Sequence, residues 1–341
     1  MGMTIQALLL AASATRVIAS CAHGTFLRPR AEGENGTVEV NTFGYTGTTG
    51  PLNWAALDSP ANAVCATGTR QSPIDMVDGV FALVQGSDVQ LTVNDMPDGA
   101  EFENLGTTVE VVTQGGSLVS GGKTFELQQF HFHLPSEHLD NGTSQAMEMH
   151  MVFQSAEQEI AVVGVYISVA DAAATADTGG ADDAATQDPP AAKRRSLLSF
   201  GSRVAQPPQR EKTKRQEAAP ATPTAPTALL ETLFSVVDQI ATPGTVVKTP
   251  PLAMSEVVDQ LTAAAFQTYS GSLTTPPCSE GVAWHVSTAR LAVSPATFAK
   301  AKDVIGFNAR YPQNTPGEPN LLMVAALGSA AAAVVAAVGA V

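Results

Sequence analysis

Positive charge is scarce in this chain. Its 341 residues carry 18 Lys and Arg against 32 Asp and Glu, a formal net charge of −14. A shortage of that size argues against nucleic acid as a partner, because gripping phosphates takes a basic face. It fits a soluble, self-repelling surface outside the cell. Cysteine is scarcer still, with only Cys21, Cys65 and Cys278, and no internal repeat is visible. What the chain does have is apolar bulk. A hydrophobic content of 44% supports a sizeable core, in one large domain or two small ones.

The first apolar run, "IQALLLAASA" at 5–14, is too short to cross a bilayer. Small residues follow in "VIASCA", the pattern of a secretory leader ending at residue 22. No Lys or Arg precedes the run, and "IASC" also resembles a bacterial lipobox. If Cys21 leaves with the leader or lies at the new end, Cys65 and Cys278 remain as a pair. An even pair in an exported chain is expected to form one disulfide. At the other end, residues 321–341 are apolar and uncharged and follow the polar, Pro-rich "YPQNTPGEPN". A tail from 317 to 341 of this kind reads as a GPI-anchor signal, with Thr315 and Gly317 as small residues near the attachment point. A transmembrane helix and a docked Ala-rich helix are the other readings. The sequons at Asn35 and Asn141 are glycosylation sites in an exported chain. The expected location is extracellular or periplasmic, with attachment to the cell surface through the tail.

Between the ends, residues 38–169 show short alternating β-branched runs such as "DVQLTVND", "TTVEVVTQGG", "KTFELQQFHFH", "QAMEMHMVFQ" and "EIAVVGVYISV", a strand-rich pattern. Residues 171–226 are poor in large apolar side chains and read as a disordered insertion. Its basic clusters "KRR" and "KTKR" are open to proteolytic processing. Helix periodicity returns at 228–240 and at 254–266, the latter with Ser255 as N-cap. A strand-like run covers 281–293, and Ser294 before Pro295 opens another helix. The expected fold is mixed and mainly β: a large, mostly antiparallel sheet with peripheral helices, in a single domain over 38–316 interrupted by 171–226.

Three of the six histidines fall in "FELQQFHFHLPSEH" at 125–138. On a strand, residues i and i+2 share a face, so His131 and His133 point the same way. The next strand, "AMEMHMV", carries His150 with Glu148 two residues earlier. An antiparallel pairing that sets His131 against His150 also sets His133 against Glu148, crowding all four on one patch. Three neutral imidazoles suit Zn2+ with a fourth position left for water. Glu148 and Gln129 can accept the second N–H of ligand histidines and fix their tautomers.

With those residues on the page, the sequence resembles an α-class carbonic anhydrase, an exported, algal-like member with a long insertion. The resemblance rests on "FGYTGTTGPLNW", "RQSPIDM", "FELQQFHFHLPSEH", "AMEMHMVF", "YSGSLTTPPCSEGVAWHV" and "FNARYPQ", which occur in the family's order over most of 43–313. It implies that His131, His133 and His150 hold zinc, with Gln129 behind His131, Glu148 behind His150 and the backbone carbonyl of Asn308 behind the remaining ligand. Thr274 matches the threonine that accepts a hydrogen bond from the attacking hydroxide, and Glu137 the glutamate that orients it. Thr275 matches a threonine that contacts bicarbonate. Val152, Val162, Leu273 and Trp284 match the apolar wall that receives CO2. Cys65 and Cys278 match the disulfide of exported members, and His138 a buried structural histidine. The implied reaction is reversible hydration of CO2 to bicarbonate and a proton, with a small-molecule substrate as the partner. An inactive binding module and a zinc esterase side activity are the rival readings.

One departure stands out. Where many fast members carry a histidine proton shuttle in "N-x-G-H-T-V", this chain reads "NLGTTVEV", with Thr107 in the histidine's place. Threonine does not titrate near neutrality. Proton transfer is therefore expected to limit turnover, with buffer or a group such as Tyr45 helping through water. His23 lies too far upstream to be given a role from sequence, and His285 alternates with Trp284, pointing to sheet packing.

Overall fold

The computed structural model describes residues 22–26, 36–113, 115–171 and 225–326. The leader up to Cys21, Asn35, most of the 171–226 insertion with its basic clusters, and the tail from 327 lie outside these residues. Among the described residues, no helix is long and apolar enough to cross a membrane.

In chain order the first strands are β1 (Asp75–Met76), β2 (Ala82–Gln85), β3 (Thr92–Val93), β4 (Glu101–Asn104), β5 (Val109–Val112), β6 (Gly116–Ser120) and β7 (Lys123–His133). The next are β8 (Leu139–Asp140), β9 (Thr143–Ser144), β10 (Met147–Ser155) and β11 (Ile160–Val169). After the insertion come β12 (Val246–Lys248), β13 (Ala265–Ser272), β14 (Glu280–Ser287) and β15 (Leu291–Val293). Twelve of them form one sheet whose main path runs β12-β4-β5-β7-β10-β11-β14-β13-β2. Its pairs are antiparallel except β11 with β14 and β11 with β15. The protein is thus mainly β, with a large mixed sheet and few helices.

The central strands are two-sided. Phe130 and Phe132 of β7, Met149 and Met151 of β10, and Val163 and Val165 of β11 enter one large apolar core. Helices Ala228–Phe234 and Ser255–Thr262 close that core with Leu230, Leu233, Phe234, Val257 and Leu261. The intervening residues of the same strands face the other way and build the site. A β-bulge sets this division in β7. Val152 pairs with Gln129 and Phe153 with Leu127, so Gln128 is skipped. Phe125 and Leu127 below the bulge and Phe130 and Phe132 above it all reach the same core. The extra residue changes which parity faces inward.

Several local expectations shift. "DVQLTVND" is not one strand: its first two residues end a short helix, Gly86–Val89, and only Thr92–Val93 form the two-residue β3. Val89, Leu91 and Val93 still enter the core, which accounts for the alternation. The run at 228–240 splits into a helix to Phe234 and a 3-10 turn at Val237–Ile240. Ser255 is the first residue of its helix rather than the cap. The carboxylate of Asp95 accepts its N–H at 2.9 Å, so a distant side chain serves that helix end. This helix stops at Thr262, and Phe266 joins β13, where pairing to β14 and β2 overrides local helix preference. The run 281–293 is broken between β14 and β15, and Ser294 caps Pro295–Ile305 by accepting from the N–H of Thr297.

Cys65 and Cys278, 213 residues apart in sequence, are joined by a disulfide. They are buried beside Phe43, Tyr45 and Trp54. The bridge closes most of the chain into one loop, which restricts the unfolded state more than the folded one. Reduction or Cys65→Ala should lower the melting temperature by roughly 5–15 °C, corresponding to about 2–5 kcal/mol. Calorimetry with and without reductant measures it, and an unchanged midpoint would contradict this account.

Candidate metal centre

Strands β7 and β10 run antiparallel with His131 opposite His150 and His133 opposite Glu148, the pairing expected from the sequence. The three imidazoles converge, with ring centroids 5.0 Å (His131–His133), 5.4 Å (His131–His150) and 4.5 Å (His133–His150) apart. One nitrogen of each lies within 4.8 Å of the others.

The opposite nitrogens are engaged. His131 Nδ1 donates to Gln129 Oε1 at 2.8 Å, His133 Nδ1 to the Asn308 carbonyl at 2.9 Å, and His150 Nε2 to Glu148 Oε1 at 2.9 Å. A carbonyl or carboxylate can only accept, so each bond puts the proton on the outer nitrogen and turns a lone pair inward. His133 Nε2 and His150 Nδ1 are fully buried with no hydrogen-bond partner. Buried lone pairs aimed at a common point, on two rigid paired strands, fit a tetrahedral cation with one open position.

Electrostatics keep these rings neutral. Burial, reinforced by the neighbouring His150, pushes His133 down to about 3. His131 is held well below the ordinary imidazole range by burial and by both sister rings. Burial also lowers His150, against the pull of Glu148. For Glu148 burial alone would raise the carboxyl, yet His138 and His150 outweigh it and hold it well below the usual range. Glu148 also accepts the backbone N–H groups of Glu137 and His138 at 2.9 and 2.8 Å. Glycine at 164 makes room for this carboxylate, since a Cβ there would sit 3.0 Å from Glu148 Oε1. His138 bonds Glu148 Oε1 and the Tyr269 hydroxyl, both at 2.7 Å, so both its nitrogens are occupied in the framework.

Glu137 stands at the rim. Its Oε2 is 3.5 Å from His133 Nε2 and 3.9 Å from His150 Nδ1, and its Oε1 accepts the Arg310 N–H at 2.8 Å. Burial pushes this carboxyl well above the usual range, countered by that N–H and by the Thr274 hydroxyl. Thr274 and Thr275 are both buried. Val152, Val162, Leu273 and Trp284 fall in one apolar cluster on this face of the sheet. Trp284 is fixed by its indole N–H to the Ser272 carbonyl at 2.9 Å. Asn308 donates to the Thr107 and Phe132 carbonyls at 2.9 and 2.8 Å, and the Thr107 hydroxyl accepts from Asn41. Asn141 is exposed at the β8–β9 turn, with its amide bonded to Asp78. His285 packs in the sheet 3.2 Å from the Ser120 hydroxyl.

Sequence reasoning left four nearby residues without a role. Arg310 sits inside "FNARYPQ", and its guanidinium is buried, donating to the carbonyls of Ser72 and Cys65 and to Gln71. Glu110 pairs across from His131 and Glu103 across from Glu110. The alternation in "TTVEVV" already turns Glu110 away from Val109 and Val111. His23 bonds Glu110 at 2.7 Å, and nothing in the sequence signals that contact.

A sequence profile for eukaryotic-type carbonic anhydrase matches residues 49–177 and 220–316. A carbonic anhydrase of Nostoc sp. is 30% identical over 280 residues, covering 81% of this chain and 82% of that protein. Among solved structures, a fungal alpha carbonic anhydrase from Aspergillus oryzae superposes with a TM-score of 0.66 and 34% identity, covering 84% of this chain and 99% of that one. The alpha-carbonic anhydrase from Thermovibrio ammonificans, in complex with the inhibitor sulfanilamide, gives a TM-score of 0.56 and 28% identity over 80% of this chain and 95% of that one.

The buried neutral rings set a pH dependence. His133 falls from 6.5 to about 3 on folding, so below 6.5 the unfolded chain binds the proton that the folded chain refuses. Stability is then fully present above the unfolded value and is lost as pH falls from about 6.5 toward about 3. The urea midpoint of metal-free protein should drop between about pH 7 and about pH 5. The drop should be shallower in His133→Gln, and equal slopes would count against the assignment.

Proposed function

The chain belongs to the α-class carbonic anhydrases, and on that premise we propose that it holds one zinc ion through His131, His133 and His150 and interconverts CO2 and bicarbonate. The observation that carries this reading is the convergence of buried lone-pair nitrogens beside Glu137, Thr274 and an apolar wall. Zinc, when bound, lowers the pKa of water from ~15.7 to ~7 and so supplies hydroxide at neutral pH.

The protein's residues arrange the rest. Gln129, Asn308 and Glu148 orient the three rings and keep their lone pairs available. Thr274 has one proton and gives it to Glu137, so its oxygen can only accept from whatever enters the pocket. That favours a species carrying a proton and aligns it toward the wall. Val152, Val162, Leu273 and Trp284 suit a small neutral molecule and offer a poor home to an anion, which favours release of bicarbonate past Thr275. Thr107 cannot relay the proton that must then leave, so water and buffer carry it.

The disulfide supports an oxidising compartment outside the cytosol, extracellular or periplasmic. Glycosylation at Asn35 and Asn141 and surface attachment through the tail belong to the same proposal. The rival readings, a catalytically inactive binding module or a zinc esterase, share the fold and differ in chemistry.

Metal analysis should find one zinc per chain, and CO2 hydration should be measurable and blocked by an aromatic sulfonamide. Bound zinc without hydration activity would sink this reading in favour of the binding module. For Thr107→His, turnover in dilute buffer should rise by about tenfold or more, with little change in concentrated buffer. An equal response in both would remove proton transfer as the limiting step.

A further inference from the structure

The far face of the sheet carries a second pocket. His285 of β14 alternates with Trp284, so it points away from the three-histidine pocket. It lines a groove of about 530 Å³ between the β6–β7 turn, the helix Gly86–Val89 and strands β13 and β14. The groove is open to solvent, with Gly121, Gly122, Ser270 and Gly281 exposed on its walls. Within it the Ser120 hydroxyl lies 3.2 Å from His285 Nε2. His285 is 5% exposed, and its ring meets Phe266 edge-on with centroids 6.3 Å apart, so packing holds the imidazole in place. Burial lowers its pKa, opposed by a hydrogen bond to the Ala283 backbone, which leaves a neutral ring able to take a proton. Ser120 is only half-buried and ends β6 just before the turn at Gly121 and Gly122. Among the described residues, the N–H groups of these two glycines have no hydrogen-bond partner. A Cβ at either would meet nothing within 4 Å, so the approach to Ser120 from that side is open. The proposed CO2 chemistry uses neither Ser120 nor His285.

We infer that Ser120 and His285 form a metal-independent hydrolytic site for small carboxylic esters, separate from the histidine pocket. A serine hydroxyl within reach of a neutral imidazole is the arrangement that activates it as a nucleophile. Ser120 Oγ bonds to the ester carbonyl carbon while its proton passes to His285 Nε2, and the carbonyl electron pair moves onto the oxygen. The N–H groups that follow the nucleophile, those of Gly121 and Gly122, are available to that oxyanion. The pair then returns, the C–O bond to the alcohol breaks, and the alcohol leaves with the proton from His285. Water repeats the sequence on the acyl-serine, which releases the acid and restores Ser120 and His285. Val84, Val89 and Val119 give the groove an apolar side for the acyl chain. Asp88, exposed on its wall, and the net charge of −14 turn away anionic esters. An uncharged ester with a short acyl chain is the substrate the groove fits.

The test is hydrolysis of p-nitrophenyl acetate by the full-length chain, with the histidine pocket taken out of play in two ways: by saturating aromatic sulfonamide, and by metal removal with dipicolinate. Wild type, Ser120→Ala and His285→Gln are compared, with far-UV circular dichroism as the check on folding. The site predicts hydrolysis that persists under both treatments and falls by about tenfold or more in either variant. Diisopropyl fluorophosphate, from which a nucleophilic serine displaces fluoride, should label Ser120 in the wild type and leave it unlabelled in His285→Gln, read by peptide mass spectrometry. Equal hydrolysis in three folded proteins would overturn the site, and so would a wild-type Ser120 that takes up no label. If a variant does not fold, labelling of the wild type decides alone. Absence of zinc binding or of CO2 hydration would refute the proposed function and leave this site standing.

Discussion

Glu148 is a single anion buried beyond the reach of solvent, and much of the site is arranged around it. Four N–H groups point at its two oxygens: the rings of His138 and His150 and the backbones of Glu137 and His138. An unpaired carboxylate at this depth would be costly, so the surrounding chain must deliver donors from the right directions. Meeting that demand fixes the His150 tautomer, folds "PSEH" back over β10, and positions Glu137 at the rim. Through His138 the constraint continues to the Tyr269 hydroxyl and on to Ser72, both at 2.7 Å. One charge thereby ties together β10, β13 and the segment after the disulfide half at Cys65.

Arg310 organises the other side in the same manner. Its guanidinium donates to Ser72, Cys65 and Gln71 and lies 5.5 Å from the Trp54 ring, while its backbone N–H holds Glu137. Both the covalent bridge and the rim carboxylate therefore depend on one buried cation. Rigidity around the three histidines comes from two opposite buried charges, each held by several hydrogen bonds.

The convergence of His131, His133 and His150 was legible because strand geometry is local. Two residues apart means one face, and a pair of strands joined by a polar turn sets one histidine motif against the other. The large sheet was legible from the alternating runs. Short elements were harder. The strand expected over 88–95 gives way to the end of a helix and a two-residue strand, because Val89, Leu91 and Val93 need only reach the core, which a mixed backbone satisfies over so few positions. Ser255 had the right chemistry for a cap, but Asp95, far away in sequence, took that place. The Arg310 contacts and the contact of His23 with Glu110 depend on where distant segments dock, and no spacing within a segment encodes that.

The bulge at Gln128 has a consequence for comparing sequences. Below it the odd-numbered residues of β7 face the core; above it they face the three-histidine pocket. Which side chains reach the pocket is therefore a matter of phase as well as of residue type. A relative with one residue more between Leu127 and Gln129, and the same single bulge, could retain every histidine in an alignment and yet present two phenylalanines to the pocket. For this fold, counting the gaps upstream of the histidine motif is as informative as finding the motif itself.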